Sequence, residues 1–219
     1  MNIAIDGPAG AGKSTIAKLV AKELDYIYVD TGAMYRAIAL YFLNNNIDYS
    51  DDSAVSKACD NINIEINYED GVQQVYLNEE NVSKEIRMEQ VGNMASKVAA
   101  KKPVRDLLLQ LQRNIASSNN VIMDGRDIGT FVLPNAQVKI YLTASVDTRA
   151  KRRYDELVTK GENPDIDRIR EDIKQRDYQD MNREIAPLKQ ADDAIYLDTS
   201  DMSIEQVVAY ICEKSKQVR

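Results

Sequence analysis

A glycine-rich segment near the N-terminus has the residue types and the spacing of a phosphate-binding loop. Residues 7–14 are Gly-Pro-Ala-Gly-Ala-Gly-Lys-Ser and fit the pattern G-x-x-x-x-G-K-[ST]. In such a loop the glycines allow backbone N–H groups to surround phosphate oxygens at the start of a helix. Lys13 would neutralise the transferring end of a triphosphate, and the Ser14 hydroxyl could ligate Mg²⁺. The segment therefore predicts a site for a nucleoside triphosphate, with a ligand-free glycine turn as the alternative.

Two other short segments combine carboxylates and arginines directly after apolar runs. Residues 30–36 are Asp-Thr-Gly-Ala-Met-Tyr-Arg, and residues 124–127 are Asp-Gly-Arg-Asp. Ligands of an open α/β sheet bind beyond the carboxyl ends of its strands, so we expect both segments to flank the phosphate loop. Ordinary turns are the alternative, which explains one such segment better than two with arginines attached.

Positive charge is concentrated in residues 149–183, which hold ten Lys or Arg against nine acids in a chain of net charge −7. Arg149, Arg152 and Arg153 share one helical face, and residues 159–164 have the composition of a flexible tip. The sequence offers these arginines no obvious protein partners, so phosphates are their expected ligands. We therefore predict a lid at about residues 149–165 that is mobile without ligand and closes over phosphates.

Arg176, Asp180 and Arg183 also fall on one helical face, because they are four and three residues apart. Two guanidinium groups would then bracket one carboxylate, an arrangement that suits a second, phosphorylated substrate. A solvated helix with internal ion pairs is an equally good interpretation of this spacing.

The chain alternates short apolar runs with helical patterns. Strands buried on both faces are predicted at residues 3–5, 26–29, 121–123, 138–142 and 194–197. A first helix is predicted at 13–24, and a last helix follows Ser203 as its N-cap. This alternation predicts an α/β fold with a parallel sheet and right-handed crossovers.

Residues 44–120 interrupt this alternation, because they are far more than one crossover needs. Residues 62–67 alternate apolar and polar side chains, and Asp70-Gly71 leads into 72–77, a pattern typical of an antiparallel hairpin. Two amphipathic helices follow, the second starting near Pro103. We predict an inserted subdomain at 44–120 and a core formed by residues 1–43 and 121–219.

The composition excludes several classes of site. The chain has no histidine, which removes Ser-His-Asp triads and His-ligated zinc, and its two cysteines are too few for a Cys-only zinc site. The negative net charge argues against a general nucleic-acid binder. No apolar run is long enough for a membrane span, and the N-terminus shows no secretory leader. We expect a cytoplasmic protein without nucleic-acid or membrane partners.

With these motifs in place, the chain resembles the bacterial cytidylate kinases over nearly its whole length. The resemblance rests on six segments, at residues 6–14, 30–36, 81–87, 103–105, 124–130 and 176–188. The phosphate loop alone would indicate only a superfamily, whereas segments 30–36 and 124–130 together are specific. The one departure is Thr31, where some relatives carry Ser, and it keeps the hydroxyl.

The resemblance implies a fold and an activity. The fold would be that of a P-loop nucleoside monophosphate kinase, with a five-stranded parallel sheet flanked by helices, a monophosphate-binding insert and a short lid. The activity would be transfer of the γ-phosphoryl group of ATP to CMP or dCMP, giving CDP or dCDP and ADP, in pyrimidine nucleotide metabolism. Mg²⁺ would be required, and we expect a monomer.

The resemblance also implies roles for individual residues of this chain. Lys13, Arg149 and Arg153 would act on the transferring phosphoryl group, and Ser14 and Asp124 would serve the metal. The ATP phosphates would be bound by Gly7, Pro8, Ala9, Gly10, Ala11, Gly12, Lys13, Ser14 and Thr15. CMP would be bound by Thr31, Tyr35, Arg36, Ser96, Arg105, Arg126, Asp127, Arg176, Asp180 and Arg183, with Ser96, Arg105 and Asp127 at the cytosine.

Other functions remain open at this point. A GTPase switch is disfavoured because the chain has no Asn-Lys-x-Asp segment, and a hydrolytic motor because no apolar strand ends in Asp-Glu. A kinase of the same fold acting on AMP, UMP or a non-nucleotide acceptor is the nearest alternative. A non-catalytic nucleotide sensor is another, although it would not need the lid arginines.

Overall fold

The computed structural model describes residues 1–218, which form two compact units. Unit 1 comprises residues 1–26 and the chain from Asn120 onward, and unit 2 comprises Ile27–Asn119. The sequence predicted the insert to begin at residue 44, whereas unit 2 already begins at Ile27. The reason is that the helix after residue 30 packs against helices of the insert.

The helices and strands follow one another as in an α/β chain with an insertion. In chain order they are β1 (Asn2–Asp6), α1 (Lys13–Leu24), β2 (Ile27–Asp30), α2 (Thr31–Asn44), α3 (Asp52–Cys59), β3 (Ile64–Glu69), β4 (Val72–Leu77), β5 (Glu80–Asn81), α4 (Glu89–Val98), α5 (Lys102–Ser118), β6 (Val121–Gly125), β7 (Val138–Thr143), α6 (Val146–Thr159), α7 (Ile166–Asn182), β8 (Ile195–Asp198) and α8 (Ile204–Gln217). A 3₁₀ turn spans Glu85–Arg87, and a π-helical turn spans Ile128–Val132.

The main sheet has five strands in the order β2-β6-β1-β7-β8, which confirms the predicted parallel α/β architecture. β1 lies between β6 and β7, and its residues 2–6 pair with 121–125 of β6. The side chains of Ile3, Ile5 and Met123 are fully buried, as expected for strands covered by helices on both faces. The predicted strands and the first helix are all present.

Local signals explain where two helices of unit 1 begin. α1 starts directly after Gly12, whose φ of 87° is in the left-handed region that glycine adopts without strain. α8 starts with a capping box, in which the Ser203 hydroxyl accepts from the Gln206 N–H and the Gln206 side chain accepts from the Ser203 N–H. The predicted N-cap at Ser203 is therefore confirmed.

Unit 2 contains the predicted hairpin and the two predicted helices. β3 and β4 pair antiparallel from Ile64↔Leu77 to Glu69↔Val72, and the two turn residues Asp70 and Gly71 both have positive φ, 51° and 75°. A two-residue turn of this kind matches the right-handed twist of the two strands that it connects. Pro103 lies in the first turn of α5, where its missing N–H costs nothing.

Within the described residues, the structure contains no helix that is both long enough and apolar enough to cross a membrane.

Candidate active site

The phosphate loop of unit 1 connects β1 to α1 and has a backbone that requires glycine. A Cβ atom on Gly7 would lie 1.9 Å from the Leu142 carbonyl oxygen, and Gly10 and Gly12 have φ values of 73° and 87°. In this part of the structure no side chain caps the first turn of α1. Its N–H groups are therefore directed to where an anion can bind.

Lys13, the first residue of α1, is folded back over the loop. Its side chain is buried, and its Nζ donates a hydrogen bond to the Pro8 carbonyl oxygen at 2.7 Å. Burial, assisted by the positive charge of Arg126, lowers the pKa of Lys13 to about 7. A bound phosphate would favour the protonated, positively charged form of this amine. Lys13 is therefore placed to bind an anionic ligand.

The Ser14 hydroxyl and the Asp124 carboxylate form a direct contact in unit 1. Ser14 Oγ donates to Asp124 Oδ2 at 2.8 Å, and Asp124 is buried at the end of β6. Both groups are hard oxygen ligands, and Mg²⁺ takes few protein oxygens because it keeps waters and phosphate oxygens. The pair fits Mg²⁺, whereas the described residues contain no cluster of three or more acids and cysteines that could hold a metal by itself.

Two ion pairs connect the end of α7 to the segment after β6. Arg126 Nε donates to Asp180 Oδ2 at 2.7 Å, and Arg183 Nη2 donates to Asp127 Oδ1 at 3.4 Å. All four side chains are mostly buried, with exposed fractions between 6% and 20%. The interpretation of this face as a solvated helix with internal pairs is therefore wrong, because Asp180 of α7 pairs with Arg126, which directly follows β6.

The charge of Asp180 depends on the arginines around it. Burial alone would raise its pKa, but the neighbouring charge of Arg126, supported by Arg176 and Arg183, holds the pKa below its usual value. The predicted group of Arg176, Asp180 and Arg183 is thus brought together, and Arg126 joins it. The result is a cluster of guanidinium groups around one fixed carboxylate, which suits an anionic ligand.

Arg149 is not placed as the sequence predicted. It is buried at the start of α6, and its Nη2 donates to Asp177 Oδ2 of α7 at 2.6 Å. Its Nη1 donates to the Ala9 carbonyl oxygen of the phosphate loop at 2.9 Å. The expectation that the lid arginines lack protein partners is therefore wrong for Arg149, because α7 packs against α6 and supplies a carboxylate.

The other two arginines of the predicted lid also have protein partners. Arg152 donates to the Thr199 carbonyl oxygen at 2.9 Å, and Arg153 donates to Glu156 at 2.9 Å. α6 ends at Thr159 and α7 begins at Ile166, so the predicted tip is the connection between these helices. Arg153 remains the more exposed of the two candidate catalytic arginines.

Asp6, the last residue of β1, is a buried carboxylate next to the phosphate loop that the sequence analysis did not single out. Its carboxylate accepts hydrogen bonds from the N–H groups of Ile128 at 2.8 Å and Gly129 at 2.7 Å. Burial raises the pKa of Asp6 to about 6, although these hydrogen bonds act in the opposite direction. The available signal was a charged residue that ends an apolar strand directly before the glycine loop.

The raised pKa of Asp6 gives a stability prediction with a defined sign. Because the carboxyl group binds its proton more tightly in the folded state, the free energy of unfolding should fall as the pH rises from about 4 to about 6. A shift of about two pKa units corresponds to roughly 3 kcal/mol at most. Urea unfolding of the wild type and of Asp6→Asn at a series of pH values measures this difference. A difference that does not change with pH would contradict the assignment.

The remaining predicted site residues lie in unit 2. Thr31, Tyr35 and Arg36 are on α2, Ser96 is on α4 and Arg105 is on α5. The Asp30 side chain caps α2 by accepting from the Ala33 N–H at 2.9 Å. This cap fixes the start of the helix that carries three of these residues.

Two contacts orient the charged side chains of unit 2. Arg36 Nη1 donates to the Ile86 carbonyl oxygen at 3.0 Å, and the Arg105 guanidinium lies 5.7 Å from the centre of the Tyr35 ring. Arg105 is buried, although it carries a charge. The structure therefore brings Tyr35 and Arg105 together, as the prediction of a shared ligand requires.

Comparisons of the sequence and of the fold with known proteins identify similar proteins. A sequence profile described as cytidylate kinase matches residues 3–217. A protein named cytidylate kinase from Lactobacillus johnsonii is 52% identical over 213 residues, which cover 97% of this chain and 93% of the relative. One from Fusobacterium nucleatum is 49% identical over 217 residues, covering 99% and 98%. The solved structure of an uncharacterized protein from Eubacterium ventriosum is similar in fold, with a TM-score of 0.53 and 13% identity over 97% of this chain and 96% of its own.

Proposed function

The chain belongs to the cytidylate kinase family, and we propose that it transfers the γ-phosphoryl group of ATP to CMP or dCMP. The products would be ADP and CDP or dCDP. The observation that best supports this proposal is the arrangement in unit 1, where the phosphate loop with buried Lys13 accompanies the Ser14–Asp124 contact and the Arg126–Asp180 pair. One part suits a triphosphate, and the other suits a second anionic substrate.

The phosphate loop is the proposed site for ATP. Residues 7–15 would bind its phosphates through backbone N–H groups, with Lys13 as the fixed positive charge. Ser14 and Asp124 would hold Mg²⁺, which neutralises phosphate charge when it is bound. Arg149 contacts the Ala9 carbonyl oxygen of the loop, so it is the better placed of the two proposed catalytic arginines. Arg153 would need to leave Glu156 to reach a phosphate.

The residues proposed to bind CMP are assigned within each unit separately. In unit 1, Arg126, Arg176, Asp180 and Arg183 would bind phosphate and ribose, and Asp127 would bind cytosine. In unit 2, we assign Arg36 to the phosphate, Ser96 and Arg105 to the base, and Thr31 and Tyr35 to CMP binding in general. The unit 2 assignments rest on the resemblance and on the contact of Arg105 with Tyr35.

This set of residues is sufficient for phosphoryl transfer without histidine. In-line transfer needs positioning and charge neutralisation more than covalent or strong acid–base catalysis. The buried arginines are already oriented by carboxylates and carbonyl oxygens, so little reorganisation is required when the substrates bind. A lid formed by α6 and the 160–165 connection would exclude water, which otherwise hydrolyses the donor.

The proposal also specifies the setting of the enzyme. Its partners would be small nucleotides in the cytoplasm, and it would work as a monomer without nucleic acid or membrane. Incubating the purified protein with ATP, Mg²⁺ and CMP tests the proposal directly, because CDP and ADP should appear in equal amounts. A nucleotide sensor would bind both substrates and form no CDP.

Substitution of Asp127 by Asn is expected to reduce the preference for cytosine. A carboxylate can accept from the cytosine N4 amino group, whereas uracil presents an O4 acceptor there. Each mispaired buried group costs roughly 1 to 3 kcal/mol, so the ratio of kcat/KM for CMP over UMP should fall by about one to two powers of ten. Steady-state kinetics with both acceptors measures this ratio.

ATP binding serves as the control for Asp127→Asn, because the phosphate loop is unchanged in this variant. The affinity for ATP should stay close to that of the wild type. Asp127 also accepts from Arg183, so a purely structural role would slow CMP and UMP equally. An unchanged ratio would thus assign base selection to other residues.

A further inference from the structure

Asp6 carries a buried charge that the proposed reaction does not use. It is the last residue of β1 and directly precedes Gly7 of the phosphate loop. Its side chain is almost fully buried, and the two carboxylate oxygens accept separately, Oδ1 from the Ile128 N–H at 2.8 Å and Oδ2 from the Gly129 N–H at 2.7 Å. One carboxylate therefore connects the phosphate loop to the segment after β6.

The two N–H groups belong to the residues that immediately follow Arg126 and Asp127. The same segment is held from its other side, because the Asp127 carbonyl oxygen accepts from the N–H groups of Phe131 at 2.9 Å and Val132 at 3.1 Å. The backbone that follows Asp127 is thus fixed by hydrogen bonds. The direction in which Arg126 and Asp127 leave the sheet depends on these contacts.

Stability alone does not account for a carboxylate at this position. Moving a charge out of water is costly, and burial makes ionised Asp6 less favourable than its neutral form. The nearby charges act in opposite directions, since Asp127 repels the carboxylate and Lys13 attracts it. What the carboxylate provides, and an amide of the same size does not, is two acceptors for two adjacent N–H groups.

We propose that Asp6 is a positioning residue for the acceptor nucleotide. Its carboxylate holds the residues 126–129 in the conformation in which Arg126 meets the acceptor phosphate and Asp127 meets the base. This inference rests on the proposed function, because it assumes that Arg126 and Asp127 bind the acceptor nucleotide. It adds that one buried side chain, Asp6, fixes the position of residues 126–129 relative to the phosphate loop.

Asp6→Asn is the principal test. The amide places an N–H₂ group against one of the two backbone N–H groups, so the segment should shift while the volume is kept. We expect kcat/KM for CMP to fall about tenfold or more, because small displacements of positioning groups have effects of this size. The ratio of CMP over UMP should fall with it, and the dissociation constant of ATP should change by less than about threefold.

Asp51→Asn provides a matched control in unit 2. The Asp51 carboxylate also accepts from two backbone N–H groups, those of Ser53 and Ala54, but it caps α3, which carries none of the proposed site residues. Its kinetic constants should equal those of the wild type. A comparable loss in this control would overturn the inference, because it would show that any such carboxylate has this effect.

Gly129→Ala tests the contact between Asp6 and Gly129 by changing Gly129 instead of Asp6. It still tests the inference if Asp6→Asn does not fold. An added Cβ would lie 3.4 Å from Asp6 Oδ2 and 3.2 Å from Lys139 Cδ, so the carboxylate or the segment must move by a few tenths of an ångström. We expect a smaller loss with the same pattern, a lower CMP over UMP ratio with near-normal ATP binding. An unchanged ratio in the folded variants would overturn the inference.

The result can be separated from a failure of the proposed function. If the wild type does not phosphorylate CMP, or if Arg126→Ala leaves kcat/KM for CMP unchanged, the proposed function is wrong. If both behave as expected and Asp6→Asn lowers only the melting temperature, Asp6 is structural and this inference alone is wrong.

Discussion

Replacing Lys13 by alanine should reduce turnover by about a hundredfold or more, because the variant loses the fixed positive charge beside the transferring phosphoryl group. The structure adds a reason for a large effect. Lys13 is buried and held by the Pro8 carbonyl oxygen, so no other flexible cation can easily take its place. A coupled assay with saturating ATP and CMP measures the loss.

Lys22→Ala is the control for this experiment. Lys22 is an exposed lysine in the last turn of the same helix, so its removal also deletes one lysine from α1 and leaves the loop intact. Its turnover should match the wild type. A folded Lys13→Ala protein with near-normal turnover would show that the phosphate loop has been assigned wrongly.

Arg126→Ala should lower kcat/KM for CMP by about two to three powers of ten, which is the range expected when a preorganised charge is lost from a dry site. The guanidinium is held by Asp180 at 2.7 Å, and the substitution leaves that buried carboxylate without this partner. Two effects therefore add, the loss of a phosphate-binding group and a new negative charge facing the acceptor. ATP affinity should change much less.

A double-mutant cycle separates these two effects. In Arg126→Ala/Asp180→Asn the negative charge is also removed, so the double variant should be less impaired than the sum of the single variants predicts. Arg170→Ala is the matched control, because this arginine of α7 pairs with Asp147 outside the cluster. Strictly additive losses would show that Asp180 does not position Arg126.

Most of the fold could be predicted because its signals are local. The apolar runs that become β1, β6 and β7 are short and bounded by polar residues, and the glycine loop marks the junction of a strand and a helix. The hairpin between β3 and β4 was equally clear, since Asp70-Gly71 provides the two positive φ angles of the turn. Each of these features depends on a few neighbouring residues.

The boundary of unit 2 and the partners of the arginines could not be predicted in the same way. Arg149 meets Asp177, and Arg126 meets Asp180, only because α7 packs beside α6 and the end of β6. Helical spacing shows which residues share a face, but it does not show what lies opposite that face. Asp6 was missed for the same reason, since its partners are more than a hundred residues away in the chain.

The most direct test of this account is the phosphorylation of CMP, dCMP, UMP and AMP by the purified protein, each with ATP and Mg²⁺. Separate determination of kcat/KM for the four acceptors distinguishes the cytidylate kinase from other kinases of the same fold. We predict that CMP and dCMP are turned over efficiently and that UMP and AMP are poorer by at least about tenfold, because one mispaired buried group already costs that much. Preference for AMP or UMP, or binding of ATP and CMP without formation of CDP, would contradict the account.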